Sequence, residues 1–334
     1  MNFRKYFPLF ILMVVLLSCI FATGFSATAA EDKYVIRIAT FQAAGDSVGH
    51  ACIKLGEILN SKGNGRIEAS VVTDGEWGDQ DEITEMLVQG GLVEIINATS
   101  PLPRYVPEAN LQEFPYMYKD VDHQVRVLKA IGPYLSELLK PFNIKVTGSI
   151  PTGFRHFLNK EKPIYEPDDF KGLKIRAPNP MYAGMIEALG AESVTISWNE
   201  VYTALQAGVV DGMEASYSLI NAMGFQEQAK YLSKTYHIAS NQFFLIDNAW
   251  FNTLPEDIQK IIEESTEEAS DYSVGVLKEL EKEAEEQLVA QGVMINEVND
   301  LNEFRELIIA YRENYVKKGG PGFEKLYNKI LEIE

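Results

Sequence analysis

The chain has few cysteines and histidines, far more acid than base, and a single long hydrophobic run. Two cysteines, Cys19 and Cys52, in 334 residues leave no disulfide framework, so an apolar core must hold the fold. The four histidines, at 50, 123, 156 and 237, are scattered, and no H-E-x-x-H or Cys/His grouping occurs; a metal site built from side chains is not expected. The sequence has no G-x-S-x-G elbow, no Walker A loop and no strand-linked G-x-G-x-x-G, so no cofactor is expected and an enzymatic reading lacks a nominee. Among 48 acidic residues, a neighbouring pair such as Asp168-Asp169 says almost nothing about acid–base chemistry. The formal charge of −18 repels nucleic acid and anionic lipid. An anionic ligand is still possible, because a local pocket of arginines dominates at short range.

The apolar run, Leu9 to Ala22, follows Arg4 and Lys5 and leads into Ser26-Ala-Thr-Ala-Ala30. A basic segment, a short apolar segment and a small-residue end are the three parts of a secretory signal peptide, and the run is shorter than the roughly 20 residues a membrane span needs. Residues 1–30 are therefore expected to be a leader, with the mature chain starting near Glu31 in the periplasm and no membrane span after its removal. Leu16-Leu-Ser-Cys19 also resembles a lipobox, which would make Cys19 a lipidated terminus; continuation of the run to a good cleavage site favours ordinary cleavage.

Beyond the leader, 46% apolar composition over the whole chain suffices for two ordinary domains. Period-two and period-3.6 patterns alternate: strand 34–40, helix 46–62, strand 66–73, helix Asp79–Gln89, strand Leu92–Asn97, helix 121–140, strand 144–150. Strands separated by helices predict a mainly parallel sheet covered on both faces. Between them, 101–118 is a proline-rich connection whose aromatic residues read as packing. A second set follows Pro151: strand 154–158, a short helix within 163–171, strand 173–177, helix 180–189, strand 193–196, helix 198–207 opened by a Ser197-to-Glu200 capping box, and strand Val209–Asp211. Residues 242–251 read as a strand pair or a strand and turn. From Pro255, placed at the first helical position, to Gln291 one helix is predicted, long enough to brace both lobes.

The stretch Gly172-Leu-Lys-Ile-Arg-Ala-Pro178 places Arg176 at the end of a buried-looking strand. An arginine cannot be neutralised, so such a position calls for a structural ion pair or an anionic ligand, and spacing alone does not choose.

The stretches GFRHFLNKEKPIYEPDDFKGLKIRAP, ALGAESVTISWNEVYTALQAGVVDGMEASYSLI, YLSKTYHI and LPEDIQKII resemble the solute-binding proteins of tripartite ATP-independent periplasmic (TRAP) transporters, of the dicarboxylate-binding type. The resemblance runs from about residue 34 into the C-terminal region. It implies an α/β, two-lobed, periplasmic-binding-protein-like fold with a hinge and a long helix spanning both lobes. By this correspondence 31–152 with 241–281 form one lobe and 153–240 with 282–334 the other. It implies a small organic acid as ligand and the small and large membrane subunits of such a permease as partners. The alternatives are an exported enzyme acting on an organic acid and the ligand-presenting subunit of a sensor.

Residue by residue, Arg176 matches the carboxylate-clamping arginine, Arg155 a second basic contact and Asn179 a side-chain donor. Trp198 matches an aromatic that packs on the ligand, with a core role as its alternative. On the first lobe Gln42, Asp79 and Ser100 match ligand-facing strand-end positions, where loop capping is the alternative, and Trp77 either roofs the cleft or anchors its loop. Ala215 stands where many relatives have asparagine, which implies a lost polar contact and a preference for a monocarboxylate with an apolar or aromatic body.

Overall fold

A computed structural model describes residues 33–333, so the expected leader, Cys19 and the cleavage point near Glu31 lie outside the described residues. The opening alternation is as the sequence predicts. Strand β1 (Tyr34–Ala39) leads into helix α1 (Ser47–Lys62), whose first amides, Val48 and Gly49, donate to the Asp46 carboxylate. Strand β2 (Ile67–Val72), helix α2 (Gln80–Gln89) and strand β3 (Ile95–Ala98) follow. The proline-rich connection folds as short helix α3 (Leu102–Tyr105) and a 3₁₀ stretch, Pro107–Glu113. Helix α4 (Val121–Leu139) precedes β4 (Ile144–Asn159), a single 16-residue strand where two were expected.

The second set comprises β5 (Lys174–Ala177), α5 (Pro180–Ala188), β6 (Glu192–Thr195), a 3₁₀ turn at Trp198–Glu200, α6 (Val201–Ala207), β7 (Gly212–Ala215) and α7 (Tyr217–Ala222). The predicted capping box is absent, because Ser197 Oγ donates to Glu200 Oε2 at 2.7 Å and leaves the backbone amides uncapped. The strand expected at 209–211 starts three residues later, as β7. Strand β8 (Tyr231–Asp247) starts eleven residues before the expected 242 and ends in the turn of α8 (Asn248–Phe251). Helix α9 (Glu256–Ala290) has Pro255 as its cap and not as its first residue. Strand β9 (Met294–Glu297) and helices α10 (Leu301–Gly319) and α11 (Pro321–Leu331) complete the described chain.

The strands form one mixed sheet in the order β2-β1-β3-β8-β4-β7-β5-β6, with β9 on β8. The expectation of a mainly parallel sheet holds for β1 with β3 and for β5 with β6 and β7, and fails at the centre, where β4 and β8 run antiparallel. The two wings join different stretches of this central pair. Strand β3 pairs with β8 over Phe243–Ile246, whereas β7 pairs with β4 over His156–Asn159. Two α/β lobes result, sharing β4, β8 and α9. Between the wings the β4–β8 register shifts at Val146/Ser149, Pro151/Gly153 and Arg155/Phe157. Pro151 has no amide to donate there, and Gly153 has φ of 94°, a conformation an L side chain resists. Successive β4 residues enter different cores: Phe157 packs with Phe170 and Phe304, and Leu158 with Met213 and Phe225, as the strand's two-residue period requires. From Val35 onward the described chain forms one compact unit.

Helix α9, roughly 50 Å long at about 1.5 Å per residue, packs on α1, on β4 and on α7, and so braces both wings. Its buried face carries Ser265, Thr266, Ala269, Ser270 and Ser273 in the middle, between Ile258 and Ile262 on one side and Leu277 and Leu288 on the other. The serine hydroxyls bond backward to carbonyls of their own helix, Ser265 to Ile261 at 2.6 Å and Ser270 to Thr266 at 2.7 Å, so close packing leaves no unmatched donor. Opposite them on β4 sits Gly148, where a Cβ would run into Ser270 Oγ and the Thr266 carbonyl. Gly148→Ala should therefore destabilise by about 1–3 kcal/mol through overpacking, lowering the melting temperature by several degrees. Gly132→Ala in α4, where a Cβ meets nothing within 4 Å, should raise stability by up to about 1 kcal/mol. Thermal unfolding of the two variants checks this, and equal effects would remove the close helix–strand contact as their explanation.

Candidate functional site

Strand β5 exposes Lys174 and buries Ile175, Arg176 and Ala177, so Arg176 enters the interior at the point where the chain leaves the sheet. Its side chain is 2% exposed. Nε donates to the Ile196 carbonyl at 2.9 Å, and the guanidinium lies 5.6 Å from the centre of the Trp198 ring. Among the described residues no carboxylate lies within ion-pair distance of it, and its terminal nitrogens have no hydrogen bond to protein. Burial pulls its pKa down to about 10, with Glu214 opposing the fall and Arg155 adding to it. Arg176 is thus a buried cation that the protein leaves unmatched.

Arg155, on β4, is in the opposite condition. Its Nε and Nη2 bind both carboxylate oxygens of Glu214, with Nη2 to Oε1 at 2.8 Å, and Nη2 also donates to the Glu214 carbonyl at 2.6 Å. Glu214 is wholly buried on β7, and its other neighbour is His237 Nε2 at 3.4 Å. Burial alone would raise the Glu214 pKa; the Arg155 charge and the hydrogen bonds from His237 and Arg155 overcome it and hold it down near about 2. Burial lowers Arg155, but Glu214 more than restores it, and burial keeps His237 below its ordinary value. Arg155 also lies 5.6 Å over the Tyr182 ring. The expected second basic contact therefore has its charge already balanced.

Both arginines line a cavity of about 640 Å³. Gln42, Asp79, Ser100, Asn179 and Trp198 line it too. Asp79 and Asn179 are also helix caps. Asp79 accepts from the Asp81 and Glu82 amides in a full capping box, and Asn179 Oδ1 accepts from the Met181 and Tyr182 amides, leaving its Nδ2 without a partner among the described residues. Trp198 combines its two readings, with its edge contact to Phe225 at 5.2 Å in the second core and its ring toward Arg176.

Two expected residues are placed elsewhere. Trp77 is not on the lining and packs against the first core, which fits the loop-anchor reading. Ala215 is fully buried in the second core with Met213. Alternation along β7 explains this, since Glu214 faces Arg155 and its neighbour must face away. The preference for an apolar ligand body that Ala215 implied has no basis in this geometry.

Sequence reading missed Glu113, Thr152, Tyr182, Ser240 and Gln242, all on the lining. Glu113 lay in the connection read as packing, and Glu214 was obscured by attention to the next residue. Gln80 Oε1 and Gln242 Oε1 are buried acceptors with no partner among the described residues. Among the described residues no group of three or more acidic, histidine or cysteine side chains is disposed to hold a metal ion.

Two α/β lobes braced by one long helix, with an unmatched arginine on a polar cavity at the strand ends, define a solute-binding protein. The chain belongs to the bacterial extracellular solute-binding protein family 7, which matches residues 38–318, the family of TRAP-transporter binding proteins. It is 30% identical over 308 residues to a solute-binding protein of Sulfitobacter sp. strain NAS-14.1, covering 90% of this chain and 92% of that one. It is 29% identical over 306 residues to the sialic acid-binding periplasmic protein of Vibrio cholerae, covering 90% and 95%. A TRAP periplasmic solute-binding protein of Roseobacter denitrificans solved with β-D-glucuronate superposes with a TM-score of 0.83 at 29% identity, covering 90% of this chain and all of that one. Among the described residues no helix is long and apolar enough to cross a membrane.

Removing Arg155 strands Glu214 in the interior. Arg155→Met should cost about 3–5 kcal/mol in urea denaturation at pH 7, and Glu214→Gln in the same chain should restore a substantial part of it. Because the Glu214 pKa is depressed, the pair's contribution is present above the ordinary value of 4.5 and is lost as pH falls toward about 2. A single-variant loss under about 1 kcal/mol would show that the pair is not what holds this wall.

Proposed function

We propose that the protein captures a small, hydroxylated monocarboxylic acid in this cavity outside the cytoplasmic membrane and presents it to the small and large membrane subunits of a TRAP permease. The observation that carries this reading is the pairing difference between the two arginines. Arg155 is neutralised by Glu214, whereas Arg176 directs a desolvated fork at the cavity, and a carboxylate fits that fork with two charge-assisted hydrogen bonds. One unmatched cation suits one carboxylate. Gln80 Oε1 and Gln242 Oε1 need donors and Asn179 Nδ2 needs an acceptor, which ligand hydroxyls provide. Glucuronate and sialic acid, the ligands of two relatives, have this chemistry. The protein acts by binding alone.

The lobes divide at 152/153 on β4 and 240/241 on β8, with 31–152 and 241–281 on one side and 153–240 and 282–334 on the other. Support comes from the register break at Pro151/Gly153, with Ser240 opposite Gly153. On this division Gln42, Asp79, Ser100 and Gln242 reach the cavity from one lobe, and Arg155, Arg176, Asn179 and Trp198 from the other. A ligand touching both favours the closed arrangement.

Calorimetric titration with D-glucuronate tests the reading. Arg176→Ala should weaken binding by about 2–5 kcal/mol, roughly thirtyfold to several thousandfold, and Arg176→Lys should weaken it as well because a point charge lacks the fork. Unliganded Arg176→Ala should be no less stable than wild type, since an unmatched buried charge is removed. A loss of affinity below about threefold would reject the clamp.

A further inference from the structure

The cavity wall holds one more ionisable group that the capture of an anion does not explain. Glu113, which ends the 3₁₀ stretch after α3, is half-buried on the lining. Its Oε1 accepts from the Asn241 amide of β8 at 3.2 Å, and its Oε2 accepts from the Tyr182 hydroxyl of α5 at 3.3 Å. The charged and titratable groups that bear on it are Arg155 from β4, Glu214 from β7, Tyr182 from α5 and Tyr118 further along its own segment. Arg176 on β5 interacts in turn with Arg155 and Glu214, and His237 on β8 with Glu214. Asp79, Asp81 and Arg104 lie elsewhere on the same lining, and Arg104 pairs with Asp81 at 2.5 Å.

With Glu113 ionised, this cluster contains two guanidiniums and two carboxylates. A ligand carboxylate brings a third negative charge into a desolvated space that holds only two positive ones. We infer that Glu113 takes up one proton from solvent as the ligand carboxylate pairs with Arg176, so that this protein binds its acid together with a proton. The proton goes to Oε2. Tyr182 permits this because a phenol hydroxyl can turn from donor to acceptor, which a guanidinium or a backbone amide cannot. No other bond is made or broken. Burial, opposed chiefly by Arg155, already raises the Glu113 pKa to about 7, so the acid is poised where the transfer matters, and a neighbouring anion raises it further.

The inference rests on the proposed carboxylate capture, and titration calorimetry of the whole chain with D-glucuronate and D-galacturonate, in buffers of different ionisation enthalpy, tests the two separately. Wild type should take up about half a proton per ligand at pH 7, close to one at pH 8.5 and almost none at pH 5.5. The dissociation constant should rise from pH 7 upward, approaching tenfold per pH unit. Glu113→Gln, which copies the protonated side chain, should abolish the buffer-dependent heat and bind at pH 8.5 roughly tenfold or more tightly than wild type. Tyr182→Phe withdraws a donor from the ionised form and should move the uptake midpoint to higher pH. Buffer-independent heats in wild type at pH 8.5 overturn the inference while leaving carboxylate capture intact, whatever the variants do. Uptake that persists in folded Glu113→Gln assigns the proton elsewhere and also overturns it. No binding of either acid at any pH overturns the proposed function and this inference with it.

Discussion

The buried Arg155–Glu214 pair fixes the electrostatics of the whole site. Taking two charges out of water costs several kcal/mol each, and only the bidentate contact, the added bond to the Glu214 carbonyl and the His237 neighbour offset that cost. The pair joins β4 to β7 at the edge of the cavity, so it also ties the central ribbon to the second wing. Its further consequence is selectivity of charge. Two arginines approach one cavity, and because Arg155 is held by Glu214, Arg176 is left as the one of the two with no carboxylate in ion-pair contact.

The scaffold reaches that result by dividing its strands unequally. Strands β4 and β8 are long because the central ribbon they form carries both wings, one on β8 at Phe243–Ile246 and one on β4 at His156–Asn159, and the register break at Pro151/Gly153 lies between these stretches. Gly153 accepts the positive φ at the central break. A long helix alongside must approach closely without locking the strands by large interdigitated side chains, and the small residues of α9 against Gly148 meet that need. The serines pair with their own helix and need no partner on β4. Toward its C-terminal end, α9 is tied to the second wing by polar contacts, where Glu281 receives the Ser218 amide at 3.0 Å.

Periodicity made most short elements legible, because β1, β5 and α4 carry clean patterns and end in strong punctuation. It failed where a strand is buried along most of its length. Strand β4 has no polar alternation between Ile150 and Leu158, and Pro151 in its middle reads as an end although it sits at a bulge that needs no amide. In the site, the caps and strand ends were legible because Asn179, Asp79 and Arg176 occupy positions fixed by local sequence. Glu113 and Gln242 were not, since nothing within ten residues of either says that β8 brings them to the same wall. The step from Ala215 to Glu214 shows the finest limit, as a shift of one residue on a strand exchanges the apolar second core for the buried pair with Arg155.

An acidic protein that binds an acid must separate its long-range field from its local one. Surface charges contributing to the net −18 are screened beyond about 8 Å at physiological ionic strength, so they act on approach and scarcely at all inside the cleft. Inside, the low dielectric magnifies whatever remains unmatched, and that is Arg176. On the proposed closure, an empty cavity leaves this already buried cation without an anion, which is costly, whereas a bound carboxylate completes a pair. On the proposed function, the residue that takes the carboxylate also opposes closure in its absence, and the coupling between capture and shape needs no separate switch.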